Sequence, residues 1–143
     1  PRSIRALPDP DLVCIFYGAN DCKAVSETSE FGPKGFETQI EYLIDAVRAA
    51  TGGKADILLI NGVPRLEKGK RMGSTGAVES IIDGVKDAAE DRRTGYLDTF
   101  DTFIKLDPEQ RLTYYRDTIH QNDAGQRFLG ELMFTEVSGQ LKK

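Results

Sequence analysis

Asp117 and His120 stand three residues apart in the polar stretch Tyr114-Tyr115-Arg116-Asp117-Thr118-Ile119-His120-Gln121-Asn122, and His120 is the chain's single histidine. A carboxylate at that distance can accept a hydrogen bond from one imidazole nitrogen, which sets the tautomer and stabilises the imidazolium. The other nitrogen is then left to take a proton from a nucleophile. Such a base and orienter need only a hydroxyl and an oxyanion hole to cleave an ester. A hundred residues earlier the apolar run Leu12–Tyr17 ends in the polar Gly18-Ala19-Asn20-Asp21, at the mouth of a strand.

The elements that must position these residues alternate along the chain. Leu12–Tyr17 and Asp56–Asn61 are continuous apolar runs of strand length, without the in/out alternation of a one-sided sheet, so both read as strands covered on both faces. Between them Phe36, Ile40, Leu43, Ile44 and Val47 fall at helical spacing, and Thr51-Gly52-Gly53 supplies a stop. Val78, Ile81, Ile82, Val85, Ala88 and Ala89 repeat the helical stripe, and Gly95–Thr99 offers a short third strand. Asn122 can cap a last helix whose Phe128, Leu129, Leu132, Met133 and Val137 share a face. Lys23–Lys34, Gly62–Gly76 and Phe100–Gln121 read as irregular.

The order β-α-β-α-β-α implies right-handed crossovers and a parallel sheet between helical layers, with ligands beyond the carboxyl ends of the strands. The polar residues at those ends are Gly18, Asn20 and Asp21, then Asn61, Gly62 and Pro64, then Asp98 and Asp101.

Composition bounds the function. The chain has 143 residues, 39% hydrophobic and 29% charged, which suits one compact domain spanning residues 1–143. Its net charge of −4 disfavours nucleic acid and anionic lipid as partners. No apolar run approaches the roughly 20 residues that span a bilayer. The opening Pro1–Leu12 lacks a signal-peptide core, and the Pro1 start leaves localisation open. Cys14, inside the first apolar run, reads as a small buried hydrophobe; Cys22 has no histidine beside it, so thiol chemistry is not expected. Two cysteines and one histidine do not make a zinc site, and neither metal nor cofactor is expected.

Gly18-Ala19-Asn20-Asp21 after an apolar strand resembles the Gly-x-Asn-Asp block of the SGNH (GDSL-type) hydrolases, and Asp117-Thr118-Ile119-His120 is similar to their Asp-x-x-His block. The resemblance runs from about Asp11 to the C-terminal helix. It implies a three-layer α/β/α flavodoxin-like fold and ester or acyl hydrolysis of a small-molecule substrate. Asn20 would then donate to the oxyanion, His120 would be the general base, Asp117 its orienter, and Gly18 and Asp21 would border the substrate.

The family's Gly-Asp-Ser nucleophile block and its second Gly block precede Gly-x-Asn-Asp, and neither occurs in these 143 residues. The chain therefore resembles the C-terminal portion of such a hydrolase, with N-terminal strands missing. Ser74 reads as a helix N-cap, and Ser26 and Ser29 as turn residues, so none replaces the nucleophile. The cluster Arg65, Lys68, Lys70 and Arg71 reads as a solvated loop or as a contact for an anionic substrate.

In the family's sheet the nucleophile strand lies beside the Gly-x-Asn-Asp strand, so an unpaired edge is expected on Leu12–Tyr17. A separate N-terminal fragment, a second copy, or the preceding part of a longer enzyme of which this sequence is a truncated piece would cover it. A binding subunit that keeps the scaffold without chemistry is the alternative function; a phosphate-binding or signalling domain is weaker, since no Gly-rich phosphate loop follows a strand.

Overall fold

The computed structural model describes residues 9–18, 21, 33–66 and 76–141. They form β1 (Leu12–Phe16), α1 (Pro33–Thr51), β2 (Asp56–Ile60), α2 (Gly76–Arg92), β3 (Gly95–Leu97), α3 (Thr99–Lys105), α4 (Pro108–Leu112) and α5 (Asp123–Leu141). The expected β-α-β-α-β order is present. Strand order in the sheet is β1-β2-β3, and β1 runs parallel to β2 from Leu12 opposite Asp56 to Phe16 opposite Ile60.

The chain divides into two compact units. The first, residues 1–62 and 75–96, has its core where α1 and α2 lie on the sheet. Phe36, Ile40, Ile44 and Val47 of α1 and Ile81, Val85, Ala88 and Ala89 of α2 are buried, together with Ile15, Ile57 and Leu59. Their spacing of three and four residues puts each set on one helix face. α1 stops where the sequence expects, because Gly52 and Gly53 both take positive φ and the Gly53 N–H donates to Arg48 O at 2.8 Å, satisfying a helix-end carbonyl. Arg48 Nη2 donates to Arg92 O at 2.5 Å, which ties the ends of α1 and α2 together.

β1 departs from expectation. Ile57, Leu58, Leu59 and Ile60 of β2 are all buried, whereas in β1 only Ile15 is, and Cys14 and Phe16 are exposed. Strand order explains the difference. β2 has a neighbour on each side, and among the described residues β1 has one. Cys14 is thus an exposed thiol rather than a buried hydrophobe.

The second unit comprises residues 63–74 and 97–143. Its core is Phe103, Tyr115 and Leu129, joined by Val63, Leu66, Leu106, Tyr114 and Phe128. Tyr114 and Phe128 stack with centroids 4.9 Å apart, and Phe103 meets Tyr114, Tyr115 and Phe128 edge-on.

The span Phe100–Gln121, read as irregular, contains most of α3 and all of α4, and the third strand ends at Leu97 rather than Thr99. Both corrections have a capping cause. The Asp98 side chain accepts from Asp101 N at 2.8 Å and starts α3. Asp107 accepts from Glu109 N and Gln110 N, with Pro108 pre-set for the first turn of α4. Helices of seven and five residues are too short to show an apolar period.

Candidate active site

The Asp-His pair sits at the tip of a hairpin built almost wholly from polar contacts. Tyr115 bridges Gln121 in antiparallel fashion, Arg116 N donates to His120 O at 2.9 Å, and Asn122 N donates to Tyr114 O at 3.0 Å. Asn122 then does two jobs. Its Oδ1 accepts from Gly125 N at 3.0 Å, capping α5, and its Nδ2 donates to Thr113 O at 2.7 Å and Tyr115 O at 3.3 Å. Gly125 is required where helix and hairpin meet, because a Cβ there would stand 2.2 Å from Tyr114 O.

At the tip, Asp117 Oδ1 accepts from the backbone N–H groups of Ile119 and His120, each at 2.7 Å, and Oδ2 lies 2.8 Å from His120 Nδ1. One carboxylate thereby shapes the turn and orients the imidazole. The His120 N–H, then the imidazole, then the Ile119 N–H hold the Asp117 carboxyl well below the usual carboxylate range, so it is ionised throughout neutral pH. An ionised carboxylate at Nδ1 favours the proton there and leaves the Nε2 lone pair as acceptor. Both side chains are largely exposed.

Two further contacts brace the hairpin from the segment after β2. Tyr115 Oη donates to Pro64 O at 2.5 Å, and Leu66 N donates to Thr118 O at 2.6 Å. Burial pushes the Tyr115 phenol up to about 12, so it stays a donor at neutral pH. These ties were not legible beforehand, since their partners are about fifty residues apart in sequence. Buried Arg111 was also missed; its Nη2 donates to Ile104 O at 2.7 Å and Leu106 O at 2.9 Å, closing the C-terminal end of α3.

Of the other expected site residues, Gly18 and Asp21 belong to the first unit and Asn20 lies outside the described residues. Gly18 is buried with φ of +111°, and a Cβ there would stand 2.7 Å from Ile81 Cγ2. Packing against α2 is a sufficient reason for glycine at this strand mouth. Asp21 is half-buried. Asn61 is fully buried and its Nδ2 donates to Tyr96 Oη at 2.8 Å, an internal tie. Cys22, Ser26, Ser29, Lys68, Lys70, Arg71 and Ser74 fall outside the described residues.

Elsewhere the carboxylates of Glu37, Glu41 and Asp91 can bring one oxygen each within 4.8 Å of one another. Lys34 pairs with Glu37, and Arg92 lies 3.6 Å from Glu41, so the cluster is already offset by cations. No helix among the described residues is long and apolar enough to cross a membrane.

The GDSL-like Lipase/Acylhydrolase family matches residues 3–128, which includes the hairpin with its Asp-His pair. The chain belongs to this family. Solved structures agree on the fold. A lipase/acylhydrolase from Enterococcus faecalis is 21% identical with a TM-score of 0.68, and the match covers 92% of this chain and 63% of that one. The acetyl xylan esterase AlAXEase is 19% identical with a TM-score of 0.71, covering 90% and 68%. A catalytic mutant of the acetylxylan esterase Axe2 from Geobacillus stearothermophilus is 18% identical with a TM-score of 0.63, covering 90% and 60%. The chain thus spans about two thirds or less of the length of these relatives. No curated protein sequence matches it significantly. The fold is the flavodoxin-like α/β fold of SGNH-type hydrolases, as the Gly-x-Asn-Asp and Asp-x-x-His resemblance implied.

Proposed function

We propose that this chain supplies the general base and its orienter to a serine acyl hydrolase acting on a small-molecule ester. One observation carries the reading: Asp117 Oδ2 lies 2.8 Å from His120 Nδ1 while Oδ1 is occupied by two backbone N–H groups. A merely structural turn needs the second set of bonds and not the first.

In the proposed reaction, His120 Nε2 takes the proton of a serine hydroxyl as its oxygen attacks the acyl carbon, and Asp117 stabilises the resulting imidazolium. The carbonyl oxygen becomes an oxyanion, to which Asn20 donates its side-chain amide. Collapse of the tetrahedral intermediate expels the alcohol, which takes its proton from His120, and water repeats the sequence to free the acid. Gly18 and Asp21 border the substrate.

The nucleophile comes from polypeptide outside these 143 residues. The strand that carries it, on a separate polypeptide or in a longer parent chain, lies along β1, where Phe16 and Tyr17 are 48% and 60% exposed and the strand is paired on one side among the described residues. Family membership and the fraction of the relatives' length that the chain spans support this reading.

A fluorophosphonate probe of active serines tests it. The 143-residue chain by itself stays unlabelled and hydrolyses short-chain esters no faster than His120→Ala. Material that also holds the nucleophile-bearing polypeptide labels on that serine, and the label is lost in His120→Ala. Labelling that survives His120→Ala in the assembly refutes the base assignment. A second copy rather than a serine-bearing polypeptide on β1, seen by intact mass, leaves a scaffold without chemistry.

A further inference from the structure

We propose that Tyr115 is a positioning residue for His120: its hydroxyl, acting through the hairpin, holds the peptide that carries the imidazole. The inference rests on the reading of His120 as general base and adds the residue that keeps that base in register.

The tip has more internal hydrogen bonds than an exposed turn requires. Residues 116–120 are all exposed, so water alone can serve their peptide groups. The protein serves them instead. Thr118 O accepts from Leu66 N at 2.6 Å, Ile119 O from Gln121 Nε2 at 3.2 Å, and His120 O from Arg116 N at 2.9 Å. The N–H groups of Ile119 and His120 go to Asp117 Oδ1. The carbonyls of Thr118, Ile119 and His120 and the two N–H groups between them all have partners inside the protein.

Tyr115 stands where these bonds meet. Its backbone bridges Gln121, and the next residue, Arg116, supplies the N–H that holds His120 O. Its hydroxyl donates to Pro64 O at 2.5 Å, two residues before the N–H that holds Thr118 O. Burial pushes the phenol up and a hydrogen bond with the Gln121 side chain opposes that rise, so the amide that holds Ile119 O acts on Tyr115 as well. Gln121 is in turn backed by α5, where a Cβ on Gly125 would stand 2.9 Å from Gln121 Cβ. The Tyr115 ring is buried and meets Phe103 edge-on, so packing holds the ring and the hydroxyl is left to tie the hairpin down.

Asp117 orients the imidazole through Oδ2, but Oδ1 is fixed by two N–H groups of the same tip. The pair is therefore only as well placed as the peptide beneath it. A loosened tip misplaces the base, and the loss falls on turnover rather than binding, because the proton moves only in the transition state.

With one histidine in the chain, the imidazole nitrogen resonances at alkaline pH show directly which ring nitrogen of His120 holds the proton. The expected pattern in the 143-residue chain is a proton on Nδ1. Tyr115→Phe keeps the ring and removes the hydroxyl, and both resonances then move toward the mixed-tautomer values of a free imidazole. Gln121→Met keeps the side-chain length without the amide and shifts them less, in the same direction. The double variant shifts them by less than the sum, as residues acting through one network require. In the assembled hydrolase, Tyr115→Phe lowers kcat per fluorophosphonate-titrated serine about tenfold and leaves KM unchanged.

A free-imidazole pattern already in the unaltered chain, or an Nδ1 proton that persists in folded Tyr115→Phe, overturns the proposal. So does a Tyr115→Phe enzyme that loses stability while its kcat per titrated serine stays whole. Should Tyr115→Phe fail to fold, Gln121→Met decides by the same resonances. Hydrolysis that requires His120 but ignores Tyr115 refutes the positioning role alone, whereas hydrolysis that ignores His120 refutes the base assignment beneath it.

Discussion

Along β2, Ile57, Leu58, Leu59 and Ile60 are buried one after another, whereas every residue of the hairpin tip from Arg116 to His120 is exposed. The strand is held by removal of apolar surface from water, a force without direction that tolerates any well-fitting shape. The tip is held by hydrogen bonds to named atoms, the acceptors Asp117 Oδ1 and Oδ2, with Asn122 and Tyr115 fixing the hairpin arms below it. Directional bonds hold an exposed imidazole in one orientation, which burial cannot do. The strand should therefore be sensitive to volume and the hairpin to single polar atoms.

The largest expected effect sharpens that contrast. In the assembled hydrolase, Asp117→Asn lowers turnover on the order of 10³–10⁴-fold, because an amide donor at Nδ1 mis-sets the imidazole tautomer. Its retained Oδ1 still caps Ile119 and His120, so thermal unfolding shows only a small loss of stability. Collapse of the fold in this variant would show that the hairpin depends on charge for its existence.

Next in size, Leu59→Ala in β2 destabilises by about 2–5 kcal/mol in urea unfolding, the cost of lost transfer plus cavity. Leu12→Ala in the half-buried β1 costs less than half as much by the same measurement. Equal losses would mean that β1 is covered as fully as β2.

Asn122→Ala removes the α5 cap and two carbonyl partners together, and about 1–2 kcal/mol of stability goes with them. A volume argument alone expects almost nothing here, since the residue is not in the core.

The effect of acid is smaller and has a definite sign. The folded Asp117 carboxyl titrates below its unfolded counterpart, so its contribution is fully present above about pH 4 and is lost as pH falls through the depressed folded value. The stability difference between the unaltered chain and Asp117→Asn should shrink over that window in paired acid titrations. A difference that persists unchanged to the most acid pH argues against the carboxylate.

Smallest of all, Phe16→Ser on the exposed end of β1 changes the stability of the isolated chain by less than about 0.5 kcal/mol. It should nevertheless prevent association with a polypeptide that docks along β1, measured by sedimentation.

Much of this was legible in the sequence, and the reason is local. Phe36, Ile40, Ile44 and Val47 announce α1 because 3.6 residues per turn puts them on one face, and Gly52-Gly53 ends it because glycine adopts positive φ at little cost. Asn122 as a cap, and Asp117 with His120 as a pair three residues apart, are equally short-range. What the tertiary structure alone decided involves partners distant in sequence. β1 and β2 have nearly the same composition, yet their burial differs because one lies at the centre of the described sheet and the other at its edge. Gly18 owes its identity to Ile81 in α2, and the braced hairpin owes its place to Pro64, 51 residues before Tyr115. Apolar periodicity is written residue by residue, but which strand is covered and which loop braces the hairpin of His120 depend on where the chain returns to itself.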